Sequence, residues 1–337
     1  IGNPSFDTEF ISSSKDPFLR DLVAWRKLNR IRTVFIDGLL LNHCHNGRIH
    51  AKFNQLRKDD SGTRTGRFSS ENPNLQQIPA RDDLAKHVRK LFIPEENHLW
   101  AKLDYSQQEP RVLVHYAVLC NLPGANELCE QFTKNPDTDF HQVVADMAGI
   151  GRRDAKTINL GMFYGMGVKK LAAQLGRSEQ DAFALFDQYH KRVPFVRELA
   201  QDCARTASSR GFITTLLGRR RHFNMYEPIN QGQTYYPPAR LEKLKADLGD
   251  VPVRRCMTHK ALNALIQGSS ADMTKKAMVT IYKELGLVPH LQVHDELDYS
   301  VTSEAQAKEV KQLMETCVTL KLPIKADLTL GKSWQEN

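Results

Sequence analysis

The sequence predicts a protein of the α+β class, because helical patterns and hairpin patterns occupy separate stretches of the chain. Residues 121–250 are mainly helical in pattern, whereas residues 36–56 and 289–302 alternate apolar and polar positions around short turns. Strands joined by short turns pair antiparallel, and helices segregated from such a sheet define the α+β class. A chain of 337 residues is long enough for one large domain or two to three smaller ones.

The composition indicates a globular protein and favours a polyanionic partner. Charged residues make up 26% of the chain, hydrophobic residues 41%, and the formal net charge is +8. Residues 51–90 carry nine Lys and Arg against five Asp and Glu, and residues 211–260 carry nine against four. Two basic stretches fit either a groove that follows a nucleic-acid backbone or two solvated surfaces.

Two classes of protein are disfavoured by the sequence. No apolar run approaches the roughly 18 residues that a membrane span requires, and no signal peptide is recognisable. Six scattered cysteines without a Cys-x-x-Cys pair predict a reducing compartment rather than a disulfide framework or a zinc knuckle. The chain begins at Ile1 rather than Met, so we expect it to be a piece of a longer protein.

The N-terminal part of the chain predicts a helix, a hairpin and a long loop. Residues 1–35 carry a rough apolar stripe at helical spacing. Residues 36–56 predict a hairpin because Asn46-Gly47 is a strong type I′ turn signal. Residues 59–82 are polar and rich in turn formers, and a loop this long in a compact domain is usually functional.

The rest of the chain predicts a strand, a series of helices and a second hairpin. A strand ends at Asp104, and a helix follows over about 107–120. The helical stretch over 121–250 is broken by loops near 134–138 and 226–238. The remaining predicted elements are a helix over 255–285, the hairpin at 289–302, a helix over 303–318 and a strand near 322–330.

Asp104 and Asp295 are the most informative candidate site residues. Asp104 ends its strand just before a helix, and Asp295 lies at the tip of the second hairpin. If the two strands are neighbours, the carboxylates converge and can hold two hard cations around a phosphoryl group. The alternative for a single Asp at the end of a strand is that it caps the following helix.

Residues 152–165 predict a helix that suits a nucleotide triphosphate. Residues at every fourth position form one stripe that turns slowly around the helix, and this stripe changes from cationic to apolar along its length. The residues of this stripe are Arg152, Lys156, Leu160 and Tyr164. The alternative is an amphipathic helix with solvated basic residues, but that alternative gives no role to Gly161 and Gly165, which are poor helix formers.

Five motifs in order resemble those of the family A DNA polymerases, the group of bacterial DNA polymerase I and its phage and organellar relatives. Residues 104–111 look like the first motif of the family, residues 152–165 like the second and residues 293–296 like the third. Residues 65–76 are similar to its primer–template loop and residues 263–269 to its template-side helix. Each motif alone is moderate evidence, but five in the right order indicate the family strongly.

The resemblance implies a right-hand polymerase fold with an antiparallel-sheet palm, helical fingers and a partial helical thumb. We expect the partial thumb over 1–60, the fingers over 119–252, and a palm in two parts over 61–118 and 253–337. The resemblance also implies a polymerase domain without a 3′–5′ exonuclease domain. The implied activity is that of a DNA-directed DNA polymerase, which adds deoxynucleotides to a primer 3′-hydroxyl and releases pyrophosphate.

The resemblance further implies a role for each candidate residue. The expected ligands of two Mg²⁺ ions, which Mn²⁺ could replace, are Asp104, Asp295 and the carbonyl of Tyr105. Glu296 is expected as a looser third acid, and Lys156 as the group that neutralises the triphosphate and could protonate pyrophosphate. The other expected nucleotide contacts are Arg152, His141, Gln107, Leu160, Tyr164 and Glu109, the last of which would block a ribose 2′-hydroxyl. The expected DNA contacts are Arg67, Asn74, Asn263, Gln267 and His294.

Three of these residues have simpler alternatives. Ser106 and Glu109 have the spacing of a capping box, so Glu109 could serve its own helix. Arg67 could be a phosphate contact without any role in checking the base pair, and His141 could be a helix surface residue.

Four positions depart from the pattern of the family. Leu160 stands where the family usually has Phe or Tyr, which predicts discrimination against dideoxynucleotides. Gln108 and Pro110 replace residues that are apolar in most relatives, and Pro110 is expected to cost one helical hydrogen bond. His259 stands where Arg is more common, although the adjacent Lys260 could substitute for it.

Three functions are compatible with these observations. The leading one is a monomeric DNA polymerase that acts on a primer–template duplex and deoxynucleoside triphosphates, in the cytoplasm of a bacterium or phage-infected host or in an organelle matrix. The second is a single-subunit RNA polymerase or reverse transcriptase, which Glu109 and the sequence His-Asp-Glu at 294–296 argue against. The third is a catalytically silent primer–template binding module, which the presence of Asp104, Asp295 and Lys156 argues against.

Overall fold

The N-terminal part of the chain combines one long helix with short strands. The computed structural model describes residues 10–11, 14–56, 63–79, 83–163, 166–229 and 236–335. Helix α1 (Pro17–Arg30) begins where Asp16 accepts a hydrogen bond from the N–H of Phe18, and it continues as a π-helical segment (Ile31–Leu41). The elements that follow are β1 (Cys44–His45), β2 (Arg48–Ile49), β3 (Lys52–Asn54), β4 (Ser69–Glu71) and α2 (Asp83–Arg89).

The hairpin predicted over 36–56 is correct only in its middle. The turn at residues 46–47 has positive φ angles of 52° and 74°, and it joins β1 to β2. The residues before the turn remain helical because Phe35 and Leu39, four positions apart, are buried in one apolar cluster with Trp100. The residues after the turn form β3, which pairs with β4 rather than with β2.

Helices dominate the middle of the chain, as the sequence predicts. After β5 (Leu99–Tyr105), the helices are α3 (Gln108–Leu119), α4 (Ala125–Lys134), α5 (Phe140–Ala148), α6 (Arg152–Phe163), α7 (Val168–Leu175), α8 (Glu179–Arg192), α9 (Pro194–Arg210) and α10 (Leu241–Leu248). Two short antiparallel pairs interrupt them and were not predicted. They consist of β6 (Phe212–Thr214) with β7 (Arg220–His222), and β8 (Tyr226–Pro228) with β9 (Val253–Arg255).

The C-terminal part follows the predicted order of helix, hairpin, helix and strand. Its elements are α11 (Ala261–Leu285), β10 (Leu291–Val293), β11 (Glu296–Val301), α12 (Glu304–Thr316) and β12 (Ala326–Gly331). Helix α11 begins later than predicted, because β9 is paired with β8 and Met257 has a left-handed backbone with φ of 59°. The predicted strand near 322–330 begins at Ala326.

A four-stranded antiparallel sheet in the order β10-β11-β5-β12 forms the centre of the molecule, which confirms the α+β class. The side chains of one sheet face, including Leu103 and Leu297, are fully buried in a core shared with α3, α11 and α12. Alternate residues point to the opposite face, which carries Lys102, Asp104 and Asp298. Within the described residues, no helix is long and apolar enough to cross a membrane.

The structure explains two of the departures from the family pattern. Pro110 is the third residue of α3, where its missing N–H has no partner in the helix, so the predicted loss of a hydrogen bond is wrong. The amide of Gln108 is buried and donates to the carbonyl of Ser270 and to the hydroxyl of Thr274, each at 3.2 Å. Gln108 therefore fastens α3 to α11 by hydrogen bonds.

Candidate active site

The two acids lie where strand β5 meets the β10–β11 hairpin. Glu296 pairs with Asp104 across the two antiparallel strands, and the N–H of Tyr105 donates to the carbonyl of Asp295 at 3.3 Å. Asp295 itself occupies the turn that joins β10 to β11. The structure therefore brings Asp104 and Asp295 together at one end of the two central strands, β5 and β11.

The turn that carries Asp295 is held by glutamines that sequence reasoning did not identify. His294 is exposed and has a φ of 60°, which is uncommon for a residue with a side chain. The amide of Gln292 donates to the carbonyl of His294 at 2.6 Å. The amide of Gln76, from the loop after β4, donates to the carbonyl and the side-chain oxygen of Gln292, each at 3.1 Å. The hydrogen bonds therefore fix the backbone on which Asp295 sits.

The electrostatics around Asp104 suit a bound cation. Burial, followed by the neighbouring charges of Asp295 and Glu296, raises the pKa of Asp104 to about 7. Its Oδ1 atom is buried without a hydrogen-bond partner among the described residues. Burial also raises the pKa of Asp295. Carboxylate oxygens that are crowded and unsatisfied in this way fit a hard divalent cation.

Glu296 has a different environment from the other two acids. The indole N–H of Trp334 donates to one of its carboxylate oxygens at 2.7 Å, and the ammonium of Lys102 lies 3.4 Å from the other. The guanidinium of Arg89 stacks on Trp334, 3.9 Å from the ring centre. Accordingly, the described part of the chain contains no group of three His, Cys, Asp or Glu arranged to hold a metal. Both carboxylate oxygens of Glu296 are therefore engaged by neighbouring side chains.

Asp298 lies on the same face of the sheet, and it was not identified as a candidate from the sequence either. It is fully buried, accepts a hydrogen bond from the indole N–H of Trp100 at 2.9 Å, and burial raises its pKa well above the usual value. The alternation of β11 could have identified it, because Asp298 lies two residues after Glu296 and therefore on the same face.

The raised pKa of Asp104 predicts a pH-dependent stability effect. An acid whose folded-state pKa exceeds its unfolded value of about 4 destabilises the fold progressively as the pH rises from that value to the folded-state pKa near 7. We therefore expect Asp104→Asn to raise the melting temperature at pH 8 without divalent cations by about 2–4 °C, and to have no effect near pH 4.

Calorimetry with and without Mg²⁺ checks this prediction. Mg²⁺ should raise the melting temperature of the unsubstituted chain more than that of the Asp104→Asn variant, because the cation relieves the same repulsion. A variant that melts below the unsubstituted chain at pH 8 without cations would contradict it.

Helix α6 presents its stripe to solvent, as a ligand-binding surface requires. Arg152, Lys156 and Leu160 are exposed, whereas Ala155 and Ile158 are buried against the core. Tyr164, the fourth residue of the predicted stripe, lies outside the described residues. The stripe is therefore open over its first three positions.

Arg152 is oriented by the cap of the preceding helix. The carboxylate of Asp139 accepts hydrogen bonds from the N–H groups of His141 and Gln142 and so caps α5. Its other oxygen lies 2.8 Å from Nε and 2.6 Å from an Nη atom of Arg152. A guanidinium has five N–H groups, and this ion pair engages one edge of it.

The surroundings of His141 favour a neutral imidazole that can donate a hydrogen bond. The buried amide of Asn159 lies 3.1 Å from its Nδ1, and the hydroxyl of Tyr189 donates to the oxygen of Asn159 at 2.5 Å. Burial, together with Lys156 and Arg152, lowers the pKa of His141 to about 4. Because the Asn159 amide donates to Nδ1, the proton is assigned to Nε2, which faces away from that bond.

Asn159 and Tyr189 were not identified from the sequence. An Asn among apolar positions in the middle of a helix is a weak signal that could have indicated them, since Asn is a poor helix former.

Glu109 and Arg67 form an ion pair beside the acids. An Nη atom of Arg67 lies 2.5 Å from a carboxylate oxygen of Glu109, and both side chains are mostly buried. Burial and the charge of Asp295 raise the pKa of Glu109, whereas Arg67 opposes that shift. Gln107 is the N-cap residue of α3, and its side chain makes no capping hydrogen bond to the helix. The structure therefore does not contain the capping box that Ser106 and Glu109 could have formed.

Gln107 connects the central sheet to α5. Its backbone is left-handed with a φ of 51°, its amide donates to the carbonyl of Thr138 at 2.8 Å, and its side-chain oxygen accepts from the N–H of Phe140 at 2.9 Å. The side chain therefore holds the start of α5 against the end of the central sheet.

The remaining candidate DNA contacts occupy two segments. Asn74 is exposed, and its side chain accepts a hydrogen bond from the N–H of Gln76 at 3.1 Å, which caps a 3₁₀ turn. Asn263 and Gln267 are four residues apart on α11 and so share a face. The side-chain nitrogen of Asn263 is buried without a hydrogen-bond partner in the described part of the chain.

The central antiparallel sheet with its paired acids, and the helical middle of the chain with the exposed cationic stripe of α6, agree with a right-hand polymerase fold. The sequence profile of DNA polymerase family A matches residues 2–336, and the chain belongs to that family. The resemblance inferred from the five motifs is thereby confirmed.

Relatives occur in phages and bacteria. The DNA-directed DNA polymerase of Pseudomonas phage M6 is 40% identical, over 99% of this chain and 54% of that protein. The thermostable DNA polymerase I of Thermus aquaticus is 34% identical, over 94% of this chain and 36% of that protein. The POL domain of Pol1 from M. smegmatis, solved in complex with DNA primer-template and dNTP, has a TM-score of 0.77 and 31% identity, covering 98% of this chain and 56% of that one. The chain thus spans about a third to a half of the length of these relatives.

Proposed function

We propose that this chain is the polymerase part of a DNA-directed DNA polymerase, which adds deoxynucleotides to a primer 3′-hydroxyl and releases pyrophosphate. The observation that carries the proposal is the convergence of Asp104 and Asp295 at one end of the central strands β5 and β11, where Oδ1 of Asp104 has no hydrogen-bond partner among the described residues. Family membership over residues 2–336 supports the same activity.

The domain assignment follows the same proposal. The partial thumb would comprise residues 1–60, the fingers residues 119–252, and the palm residues 61–118 and 253–337. Two features support this division: strands β5, β10, β11 and β12 all fall within the two palm segments, and the cationic helix α6 falls within the fingers. We also propose a monomer that acts in the cytoplasm of a bacterium or of a phage-infected host, in keeping with the phage and bacterial sources of its relatives.

Asp104 and Asp295 would hold two divalent cations, with the backbone carbonyl of Tyr105 as a further oxygen. Such cations, Mg²⁺ or in its place Mn²⁺, would lower the pKa of the primer hydroxyl and neutralise charge on the triphosphate. The Tyr105 side chain cannot take part, because its hydroxyl donates to the carbonyl of Met314 inside the core. Glu296 would act from a greater distance, since Trp334 and Lys102 hold its carboxylate.

The stripe on α6 would bind the triphosphate. Arg152, held by Asp139, and the neutral His141, through its Nε2–H, would donate to the outer phosphates. Lys156 would neutralise the phosphates nearer the bond that breaks. In the reaction the primer 3′-hydroxyl would lose its proton to solvent and its oxygen would form a bond to the α-phosphorus. The bond from that phosphorus to the oxygen that bridges to the β-phosphorus would break, and Lys156 would give a proton to the departing pyrophosphate.

Glu109 would select the sugar. Its carboxylate is fixed by Arg67 and lies close enough to Asp295 for the two charges to interact, so it borders the space above the acids. A ribose 2′-hydroxyl would meet this buried ion pair, whereas a deoxyribose would not. Gln107 would shape the same wall through its bonds to the start of α5. Leu160, and Tyr164 beyond it, would contact the sugar and base.

The duplex would lie against Arg67, Asn263 and Gln267, which carry donors suited to minor-groove acceptors. Every correct base pair presents acceptors at equivalent minor-groove positions, so such contacts test the shape of the pair rather than its identity. His294 would contact the primer terminus from the hairpin turn, and Asn74 would contact the duplex from its exposed turn.

Primer extension tests the proposal against its two alternatives. A DNA polymerase is expected to extend the primer with deoxynucleotides on a DNA template at least ~10²-fold faster than with ribonucleotides, because the Glu109 side chain, fixed by Arg67, would leave no room for an added 2′-hydroxyl. Preference for ribonucleotides, or for RNA templates, would instead support an RNA polymerase or reverse transcriptase. Tight duplex binding without any extension would support the binding module.

The side chain at position 160 would influence how the sugar of the incoming nucleotide is held. It is 38% exposed on the stripe of α6 and offers no hydroxyl to a nucleotide that lacks its own 3′-hydroxyl. We expect Leu160→Tyr to raise dideoxynucleotide incorporation relative to deoxynucleotide incorporation by about 10-fold or more, the value of one hydrogen bond to a charged group. Competition of both nucleotides on one template measures the ratio, and Leu160→Phe is the control that adds the ring without the hydroxyl. An unchanged ratio in Leu160→Tyr would contradict this role.

A further inference from the structure

Arg219 links three segments that are distant in the sequence. It lies in the turn between β6 and β7, and one Nη atom donates to the carbonyls of Thr65 at 2.7 Å and of Gly268 at 2.9 Å. Its Nε donates to the carboxylate of Asp272 at 3.0 Å. The same carboxylate, which is almost fully buried, also accepts from the N–H of Leu217 at 3.4 Å. The guanidinium is therefore held between the loop after β3, helix α11 and its own hairpin.

Two glycines leave the space that this guanidinium fills. A Cβ atom on Gly66, whose φ is 90°, would lie 2.5 Å from the guanidinium carbon of Arg219. A Cβ atom on Gly268 would lie 2.8 Å from an Nη atom of Arg219 and 2.6 Å from the methyl group of Thr215. No side chain at either position fits without displacing the arginine. The spacing between the two backbones is thus matched to one guanidinium.

The residues next to these glycines are the proposed minor-groove contacts. Gly66 directly precedes Arg67, and Gly268 directly follows Gln267. Arg67 in turn holds Glu109 at 2.5 Å. Arg219 therefore holds the two backbone segments from which both contacts extend.

We propose that Arg219 is a positioning residue that sets the separation of Arg67 and Gln267, and thereby the discrimination between matched and mismatched primer ends. This inference rests on the proposed function. Arg219 itself contacts neither the acids nor the stripe of α6 in the described structure, so its effect passes through Arg67 and Gln267. Lysine cannot replace it, because one ammonium cannot reproduce a planar fork that reaches three acceptors.

The test compares extension of matched and mismatched primer ends at a temperature well below unfolding. The ratio of kcat/KM for the two ends should fall by about 10-fold in Arg219→Ala and in Arg219→Lys, because misplaced donors lose their hydrogen bonds to a correct pair only. Arg220→Ala is the matched control: Arg220 is the next residue, is exposed and stacks on Phe212, and its loss should change the ratio by less than about twofold.

A mutant cycle separates positioning from general destabilisation. If Arg219 acts through Arg67 and Gln267, then Arg219→Lys should have little further effect on the ratio in a background that carries both Arg67→Ala and Gln267→Ala. Effects that multiply independently, or an unchanged ratio in the Arg219 variants, would overturn the inference. If the unsubstituted chain extends no primer, the proposed function is wrong. If Arg67→Ala leaves the ratio unchanged, the proposed minor-groove contact of Arg67 is wrong, and a positioning role for Arg219 is then wrong as well.

Discussion

Replacement of Asp104 by alanine is expected to reduce primer extension by on the order of 10³-fold or more, while the affinity for a primer–template duplex changes little. The carboxylate lies at the end of β5 beside Asp295, and its Oδ1 has no hydrogen-bond partner in the described residues. A cation held by one acid instead of two would no longer be fixed against the primer hydroxyl. Single-turnover extension measures the rate, and titration of labelled duplex measures the affinity.

The matched control for this prediction is Asp327→Ala. Asp327 pairs with Asp104 across β5 and β12 and carries the same charge, but it is exposed and bonded to Lys325. Its loss should change the rate by less than about threefold, as expected for a surface substitution. Extension that survives in Asp104→Ala would show that the proposed mechanism is wrong. A parallel loss of duplex affinity would indicate instead that the variant has disturbed the fold.

Replacement of Lys156 by alanine is expected to lower kcat/KM for the incoming nucleotide by about 10²–10³-fold, the typical effect of removing one charged group that stabilises a transferring phosphoryl group. Lys156 is exposed in the middle of the stripe, and no carboxylate among the described residues forms an ion pair with it. Arg152 and Asp154, on the same helix, each have an ion-pair partner. The ammonium of Lys156 is therefore available to the triphosphate without breaking an existing contact.

Arg153→Ala provides the control for Lys156. Arg153 is exposed on the same helix, but it lies about 100° around the axis from Arg152 and so off the stripe. Nucleotide-concentration series at saturating duplex should show the loss in Lys156→Ala alone, and Lys156→Arg should retain part of the activity because it keeps the charge. Equal losses in Arg153→Ala and Lys156→Ala would mean that the phosphates lie elsewhere, or that net charge alone matters.

Local patterns in the sequence were sufficient for most of the elements. The alternation around Asp295 predicted the hairpin of β10 and β11, and the four-residue spacing from Arg152 predicted the exposed stripe of α6. These predictions succeeded because each depends on residues within one or two turns of the chain. The segment from Ile31 to Leu41 was predicted wrongly in part, because it stays helical through the burial of Phe35 and Leu39 against residues far away in the sequence. The β6–β7 pair was missed because the stretch over 121–250 that contains it was interpreted as mainly helical.

The sequence by itself determined the family, the order of most of the elements and the candidate residues for metal, nucleotide and duplex. Only the tertiary structure decided how those residues are held. Arg67 meets Glu109 across 42 positions, Gln76 reaches Gln292 across 216, and Arg219 reaches Thr65 across 154. Periodicity reports which way a side chain faces on its own element, but it carries no information on which distant element the side chain will meet. That information depends on how the sheet and helices pack, and the contacts of Arg219 between two glycines exist only after that packing has formed.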